Sequence, residues 1–278
     1  MTSTASNPFI EPIKNRLLAT SEEARQQFQQ TAPGIPTRFF AVEGLLPKAD
    51  CLRIYEAFPA DFAAMREMKS LKEHKFTSKN FDEFARILHD ISMAFQSEEI
   101  IAIVEKITGI EQQVGDPQFY AGGLSMMGQG NFLNPHIDNS HDSARQLYRT
   151  LNLLYYVTPD WNPATGGNLE LWDKGVRNNT TIESRFNRLV VMETNPWSWH
   201  SVSPITENKR RCCVSNYYFS PKTPTGEEHF HVTSFNARPE QPVRRLLMHV
   251  DTFARMLVRK VFKVGIGKKD LYAADGKQ

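Results

Sequence analysis

Hydrophobic residues recur at helical spacing in the first part of the chain. The clearest stretch is 80–109, where Phe84, Leu88, Ile91 and Phe95 lie three or four positions apart, the period of one helix face. This spacing predicts a long helical region with a buried apolar face. The other predicted elements of this part are a helix at 21–30, a strand at 37–42 and a helix after Pro47.

Three residues mark predicted helix ends. Ser21 and Ser97 are each followed by two glutamates. A hydroxyl can accept a hydrogen bond from a free N–H at a helix start, and acidic side chains are favourable there. Gly109 is suited to end a helix because glycine adopts a left-handed backbone without steric cost. We therefore expect helix starts at Ser21 and Ser97 and a helix end at Gly109.

After residue 116 the pattern changes to short apolar runs separated by glycine, asparagine and aspartate. Short strands with turn residues between them are typical of a β-sandwich or barrel. Helices are therefore expected first, followed by a β unit. The predicted strands are 151–157, 168–172, 188–193 and 212–219.

From 240 to 263 the hydrophobic period returns to that of a helix, and arginines and lysines make this helix basic. A basic amphipathic helix can lie on an anionic membrane surface or bind an acidic partner. The more common arrangement packs the apolar face on the body of the protein and leaves the charges in water. The sequence leaves both arrangements open.

Composition narrows the classes of function. The 278 residues carry a formal net charge of +2, which is too small to indicate a nucleic acid partner. No apolar run is long enough for a transmembrane helix, and the N-terminus lacks the apolar segment of a secretory signal. Cys51, Cys212 and Cys213 have neither disulfide-framework nor zinc-site spacing. We therefore expect a cytoplasmic protein of one domain with three reduced thiols.

A candidate metal site begins with His136 and Asp138. Side chains two positions apart on a strand project from the same face, so this pair can bind one ion. His200 is the best candidate for a third ligand. Two histidines and one carboxylate form a facial triad, which leaves three adjacent positions open on octahedral iron. Those positions suit a chelating 2-oxo acid and dioxygen.

A permanent cation lies eleven positions after His200. Arg211 starts a strand-like run, and a guanidinium can bind a buried carboxylate through two parallel hydrogen bonds. Ser215 shares the face of Arg211 by strand alternation, whereas Arg210 points the other way if Arg211 points inward. Arg211 is therefore the predicted partner of the distal carboxylate of a cosubstrate.

The run 150–156 supplies another predicted strand. Asn152, Leu154 and Tyr156 share one face, on which polar and apolar groups alternate. Such a face would suit the wall of a pocket that holds an acid. A β face whose polar groups are satisfied within the protein explains the pattern equally well.

Five blocks of the chain together resemble, in order and spacing, the prolyl 4-hydroxylase-like branch of the iron(II)/2-oxoglutarate dioxygenases. The resemblance implies an α+β protein with a double-stranded β-helix, or jelly-roll, core at 116–222. A polar segment at 1–36 and a strand with supporting helices at 37–115 would precede the core, and a loop and basic helix at 223–278 would follow it. The matching blocks are 122–138, 151–161, 166–172, 186–192 and 200–219.

The resemblance also implies the roles of individual residues. His136, Asp138 and His200 would bind Fe(II), Arg211 would bind the C5 carboxylate of 2-oxoglutarate, and Tyr156 would be a second contact to it. The implied reaction consumes O2, hydroxylates an unactivated C–H bond and releases succinate and carbon dioxide, with ascorbate as an optional addition. Members of the family act on prolyl residues of proteins, free amino acids, peptides and other small molecules.

The chain departs from the family pattern at one position, and two alternative functions stay open. Some members carry a tyrosine that touches 2-oxoglutarate where this chain has Met126. A metal-binding jelly-roll protein without turnover, or a zinc hydrolase, could use the same three ligands. Four residues flank the site and form either its substrate side or ordinary packing: Asn139, Trp197, Trp199 and Tyr217. His229 and His231 form either a gate over the pocket or a surface loop.

Overall fold

Helices lie before residue 110 in this computed structural model, which describes residues 7–78, 81–116, 119 and 122–245. The predicted helix at 21–30 and the predicted helix after Pro47 are both present. The helices are α1 Ile10–Ala19, α2 Ser21–Gln29, α3 Lys48–Ala57, α4 Arg86–Phe95 and α5 Glu98–Thr108.

The predicted helical region at 80–109 divides into three pieces. A short 3₁₀ turn, Phe81–Glu83, precedes α4. Helix α5 starts anew because the Oγ atom of Ser97 accepts a hydrogen bond from the Ile100 N–H at 3.4 Å. Gly109 ends α5 in the left-handed conformation, with φ of 70°. The predicted helix start at Ser97 and the predicted end at Gly109 are therefore confirmed.

The predicted role of Ser21 is wrong. Ser21 is the first residue of α2, and its hydroxyl donates to the carbonyl of Leu18 at 2.9 Å instead of accepting from a free N–H. The residue before it, Thr20, occupies the cap position without a side-chain hydrogen bond. Helix α1 ends directly before α2, so a carbonyl at the end of α1 accepts the hydrogen bond of the Ser21 hydroxyl.

The strands of the described residues all pair in antiparallel fashion. They include each of the strands predicted from the sequence and a charged hairpin, β2–β3, that was not predicted. Their bounds are β1 Phe39–Glu43, β2 Arg66–Lys69, β3 Glu73–Thr77, β4 Gly123–Met127, β5 Phe132–Ile137, β6 Tyr148–Tyr156, β7 Leu169–Trp172, β8 Asn179–Ile182, β9 Arg188–Glu193, β10 His200–Val202, β11 Arg211–Ser220 and β12 Ser234–Phe235.

The strands form one strongly curled sheet with two halves. The first half has the order β1-β9-β6-β11-β4 and the second half has the order β5-β10-β7-β8, while β3 pairs with both β4 and β5 and joins them. Tyr156, Met192 and Cys213 of the first half pack against Leu169 and Leu171 of the second half. A curled antiparallel sheet closed around an apolar interior is the predicted jelly roll.

Helices cover the outer face of the first half. Leu153 and Tyr155 of β6 and Val214 of β11 are fully buried in one cluster with Ile54 of α3 and Phe95 of α4. Because side chains alternate along a strand, the residues between them face the interior of the jelly roll. The helices therefore support the sheet and leave its inner face to carry a site. The three cysteines are buried, and none of them forms a disulfide.

A short C-terminal segment closes on the second half of the sheet. Strand β12 pairs with β5, which places Phe235 opposite His136 with the two rings stacked at 5.3 Å between centroids. Arg238 anchors the segment through Glu170 of β7, with hydrogen bonds of 2.5 and 3.2 Å, and both side chains are buried. A buried ion pair of this kind is costly to break from one side, so the segment is firmly held.

The predicted basic helix at 240–263 lies mostly outside the described residues, which end with one helical turn at 242–245. Within the described ranges no helix is both long and apolar enough to cross a membrane.

Candidate metal centre and cosubstrate pocket

Two strands of the second half bring the three predicted metal ligands together. His136 lies in β5 and pairs in register with His200, the first residue of β10, and Asp138 directly follows β5. The Nε2 atom of His136 lies 3.6 Å from Oδ1 of Asp138, and Nε2 of His200 lies 3.6 Å from Oδ2. The three donor atoms lie within 4.8 Å of one another, so one ion could contact all of them.

A backbone carbonyl fixes each imidazole. Nδ1 of His136 lies 3.0 Å from the Asn134 carbonyl oxygen, and Nδ1 of His200 lies 2.9 Å from that of Ser198. A proton on Nδ1 satisfies the carbonyl and leaves the Nε2 lone pair toward the ligand cluster. Burial lowers the pKa of His136 to about 3 and also lowers the pKa of His200. Both rings are therefore neutral at pH 7, the form that binds a metal ion.

Polar groups of β6 surround the carboxylate of Asp138. Its Oδ2 atom accepts a hydrogen bond from Nδ2 of Asn152 at 2.8 Å and lies 3.4 Å from Nη2 of Arg149. Burial alone would raise the pKa of Asp138, but the positive charge of Arg149, together with the neighbouring imidazoles and the hydrogen bond from Asn152, outweighs burial and holds this pKa well below its usual range. The sequence placed Asn152 on a face that would suit a pocket for an acid, and in the structure its amide nitrogen contacts the candidate metal ligand Asp138.

A β-bulge brings Arg149 into the site. Tyr218 pairs with Leu151 and the next residue, Phe219, pairs with Arg149, so Thr150 is an extra residue in β6. In a regular strand, residues 149 and 152 would face opposite sides of the sheet, and the extra residue moves Arg149 to the inner face. The hydroxyl of Thr150 anchors the bulge by donating to the Tyr218 carbonyl at 3.1 Å. Strand alternation alone does not predict this residue in the site.

A second polar group lies beside Tyr156, four positions along β6 from Asn152 on the same face. The guanidinium of Arg211 lies 4.7 Å from the ring centroid of Tyr156, and its Nη1 lies 3.7 Å from Sδ of Met127. The Nε atom of Arg211 and the hydroxyl of Tyr156 are buried and have no hydrogen-bond partner among the described residues. Leaving buried polar groups unsatisfied costs about 1–3 kcal/mol each. A carboxylate placed between them would satisfy both.

The neighbours of Arg211 follow from the strand register. Gly167 packs so closely that a Cβ atom there would lie 2.8 Å from Cδ of Arg211. Arg210 points out of the jelly roll, as predicted, where it lies 5.0 Å from the ring of Tyr55 and donates to the Pro59 carbonyl. The interior cation of this pair is therefore Arg211.

The other predicted cosubstrate contacts have different surroundings. Leu154 and Ser215 pair in register and are partly exposed, and the Ser215 hydroxyl lies 3.8 Å from Sγ of Cys213. Met126 packs into the cluster under the helices, so it faces away from the site. The neighbouring Met127 contacts Arg211. Position 126 therefore faces away from the interior in which Arg211 lies.

The flanking residues fall into two groups. Asn139 and Tyr217 belong to the site, because Oδ1 of Asn139 accepts from Nη1 of Arg149 at 3.2 Å and the Tyr217 ring centroid lies 3.6 Å from the guanidinium carbon. Trp197 is 40% exposed and stacks with Lys174 at 4.5 Å. Trp199 is half-buried, and its backbone pairs with β7.

Three further histidines form the rim of the site. His231 is held beside Ser140, whose Oγ exchanges hydrogen bonds with the His231 backbone at 2.9 and 3.0 Å. The rings of His229 and His231 stack at 5.5 Å between centroids, and the His141 ring contacts Tyr148 at 4.4 Å. The segment with His229 and His231 therefore docks next to the end of β5, which carries two of the candidate metal ligands.

Two imidazoles whose Nε2 atoms face one carboxylate fit a ferrous ion. The buried Arg211, which has no anionic partner in the part of the chain that the structure describes, fits the distal carboxylate of 2-oxoglutarate. Residues 122–219 match the model of the 2OG-Fe(II) oxygenase superfamily, and this span holds the three candidate ligands and Arg211.

Solved structures share the fold. A prolyl 4-hydroxylase from Pseudomonas putida is similar over 73% of this chain and 98% of its own, with 14% identity and a TM-score of 0.55. A prolyl 4-hydroxylase from Phytophthora capsici is similar over 94% of this chain and 82% of its own, also with 14% identity and a TM-score of 0.55. Residues 122–219, which carry the His-Asp-His cluster, are therefore similar to the 2OG-Fe(II) oxygenase superfamily, and the chain shares the fold of prolyl 4-hydroxylases.

Proposed function

We propose that this protein hydroxylates a C–H bond of an amino acid, a peptidyl proline or another small molecule, and that it releases succinate and carbon dioxide. The observation that supports the proposal is the pairing of two groups in one interior. A cluster of three ligand atoms lies within 4.8 Å, and the buried Arg211 nearby lacks an anionic partner among the described residues. A hydrolase or a simple metal sensor would have no use for the second group.

Each residue would have a separate task. His136, Asp138 and His200 would hold the iron on one side, and Arg211 with Tyr156 would bind the distal carboxylate of 2-oxoglutarate. When bound, iron(II) and 2-oxoglutarate supply the oxidising chemistry, in which dioxygen oxidises the cosubstrate and one oxygen atom enters the substrate C–H bond. Burial of Arg211, which is 3% exposed, strengthens its attraction for a carboxylate because water is excluded.

The substrate would enter beside the metal, where the interior is open. Leu154, Ser215 and Tyr217 are partly exposed, although their neighbours along the strands are buried, and Asp138 is partly exposed just after the end of β5. The rim next to them carries aromatic side chains, including Phe230, which is 54% exposed. These surroundings support a substrate that presents an apolar C–H group and a polar backbone or amide, as amino acids and peptides do.

The test is a turnover assay with a panel of substrates. The purified protein would be incubated with Fe(II) and 2-oxoglutarate, with and without ascorbate, and with free amino acids and proline-containing peptides. We expect succinate in amounts that match a product heavier by one oxygen atom. His136→Ala and Asp138→Ala serve as controls and should form neither.

The outcomes separate the candidate functions. Binding of iron and 2-oxoglutarate without succinate from any substrate would favour a sensor and contradict the proposal. Binding of zinc with no affinity for 2-oxoglutarate would favour a hydrolase.

A further inference from the structure

The ligand carboxylate is held on one side only. Oδ2 of Asp138 contacts both Asn152, at 2.8 Å, and Arg149, at 3.4 Å, whereas no hydrogen bond to Oδ1 is found among the described residues. A carboxylate can bind an iron ion through one oxygen or through both. Contacts to a single oxygen therefore bear on how Asp138 binds the metal.

Arg149 is itself fixed from several sides. Its Nε donates to Oδ1 of Asn152 at 3.1 Å and its Nη1 donates to Oδ1 of Asn139 at 3.2 Å. Tyr217 covers its face, and the residue is 4% exposed. Such a guanidinium has little rotamer freedom, so it holds a defined position beside Asp138.

An irregularity in β6 produces this arrangement. Only the bulge at Thr150 places Arg149 and Asn152 on the same face of β6 although they are three positions apart. Besides the Tyr218 carbonyl, the Thr150 hydroxyl contacts Oε1 of Gln113 at 2.6 Å. Bulges next to active sites commonly re-aim a side chain, and here the re-aimed side chain reaches a metal ligand.

We infer that Arg149 and Asn152 are positioning residues that occupy Oδ2 and restrict Asp138 to one metal bond, through Oδ1. The inference rests on the proposed function. An iron ion with two histidines and a one-oxygen carboxylate keeps three open positions, enough for a two-point 2-oxoglutarate chelate and one diatomic molecule. A two-oxygen carboxylate would take one of those positions, so that chelate and diatomic molecule could not bind together.

The experiment measures how many coordination positions on the iron ion are open, and it does not measure turnover. Anaerobic protein would be titrated with Fe(II), then 2-oxoglutarate, then nitric oxide as a stable stand-in for dioxygen. The absorbance of the iron–2-oxoglutarate complex reports the chelate, and the electron paramagnetic resonance signal of the iron nitrosyl reports the third position. We expect the wild-type protein to show both signals together.

Removal of the positioning groups should separate the two signals. In Arg149→Met, iron should still bind, but the nitrosyl signal formed in the presence of saturating 2-oxoglutarate should fall at least tenfold, or the chelate absorbance should be lost in its place. Asn152→Leu, which removes the other donor, should act in the same direction and covers the case that Arg149→Met does not fold. Arg38→Met is the matched control, because it breaks an ion pair of 2.6 Å with Glu193 outside the site and should leave both signals unchanged.

The results distinguish this inference from the proposed function. If both variants show the chelate and the nitrosyl together at wild-type affinity, the inference is wrong and the proposed function stands. If the wild-type protein forms no 2-oxoglutarate chelate, the proposed function fails and the inference fails with it.

Discussion

Substitution of Gly167 by alanine tests whether the cosubstrate depends on the position of Arg211. Gly167 has φ of +68°, and an added Cβ would lie 2.8 Å from Cδ of Arg211, 3.1 Å from Cζ2 of Trp161 and 3.3 Å from Cγ1 of Ile205. Trp161 and Ile205 are buried, so neither can move away freely. The flexible Arg211 side chain is therefore the group that must shift.

The expected magnitude has two parts. A left-handed alanine costs roughly 1–2 kcal/mol and overpacking of a buried site costs roughly 1–3 kcal/mol, both as lost stability of the folded protein. A displaced Arg211 would lose hydrogen bonds to the 2-oxoglutarate carboxylate, and a hydrogen bond to a charged group contributes about 1.5–3 kcal/mol. Because about 1.4 kcal/mol is a tenfold change in affinity, we expect 2-oxoglutarate to bind roughly 10- to 100-fold more weakly.

Anaerobic titration of the Fe(II) protein with 2-oxoglutarate measures the affinity, and calorimetry measures the melting temperature. Gly109→Ala is the control, since Gly109 has a matching φ of +70° but nothing within 4 Å of an added Cβ. The control should lose stability from backbone strain and keep its affinity for 2-oxoglutarate. If Gly167→Ala binds 2-oxoglutarate within twofold of wild type, Arg211 does not set the cosubstrate position and the reasoning is refuted.

Three further predictions concern the charged groups of the site. Arg211→Met should weaken 2-oxoglutarate binding at least 100-fold and Arg210→Met should not, as measured by the same titration, because the two guanidinium groups face opposite sides of β11. Asp138→Ala should abolish retention of Fe(II) on anaerobic gel filtration, and a variant that keeps one equivalent of iron would remove Asp138 from the ligand set. The metal-free protein should lose stability as pH falls from 6.5 toward 3, because the pKa of His136 is lowered from 6.5 to about 3 and only the unfolded chain gains that proton. From pH 7 to pH 5 this residue should account for about 2 kcal/mol in urea unfolding, and His136→Gln should lack that share of the pH dependence.

Strand alternation explains why part of the site could be predicted. His136 with Asp138, and Asn152 with Tyr156, lie an even number of positions apart in chain segments that are regular strands or their direct continuation. A period of two therefore identifies the inner face without knowledge of the neighbouring strands. Helix ends such as Ser97 and Gly109 are predictable for a similar reason, since their capping contacts are local.

The orientation of the other site residues depends on pairing between strands that are distant in sequence, and a local sequence pattern does not contain that information. Arg149 faces inward only because an extra residue interrupts β6 where β11 pairs with it. Met126 and Met127 show the same dependence on register. Met126 pairs with Cys212 and faces the helices, whereas the next residue, Met127, pairs with Arg211 and faces the interior. Phe235 reaches His136 through a strand pair that spans about a hundred residues.

Strand β12 also has a consequence for the order in which the protein can mature. Proteins emerge from the ribosome N-terminus first, and contacts distant in sequence form late because a long loop must close. Phe235 covers the imidazole of His136, and Arg238 secures that cover through Glu170. A nascent chain that has left the ribosome as far as His200, but not as far as Arg238, would thus hold the three candidate metal ligands in an interior that is still uncovered. Loading of the metal before this final strand docks would meet an open site, whereas loading afterwards would require passage through the substrate opening.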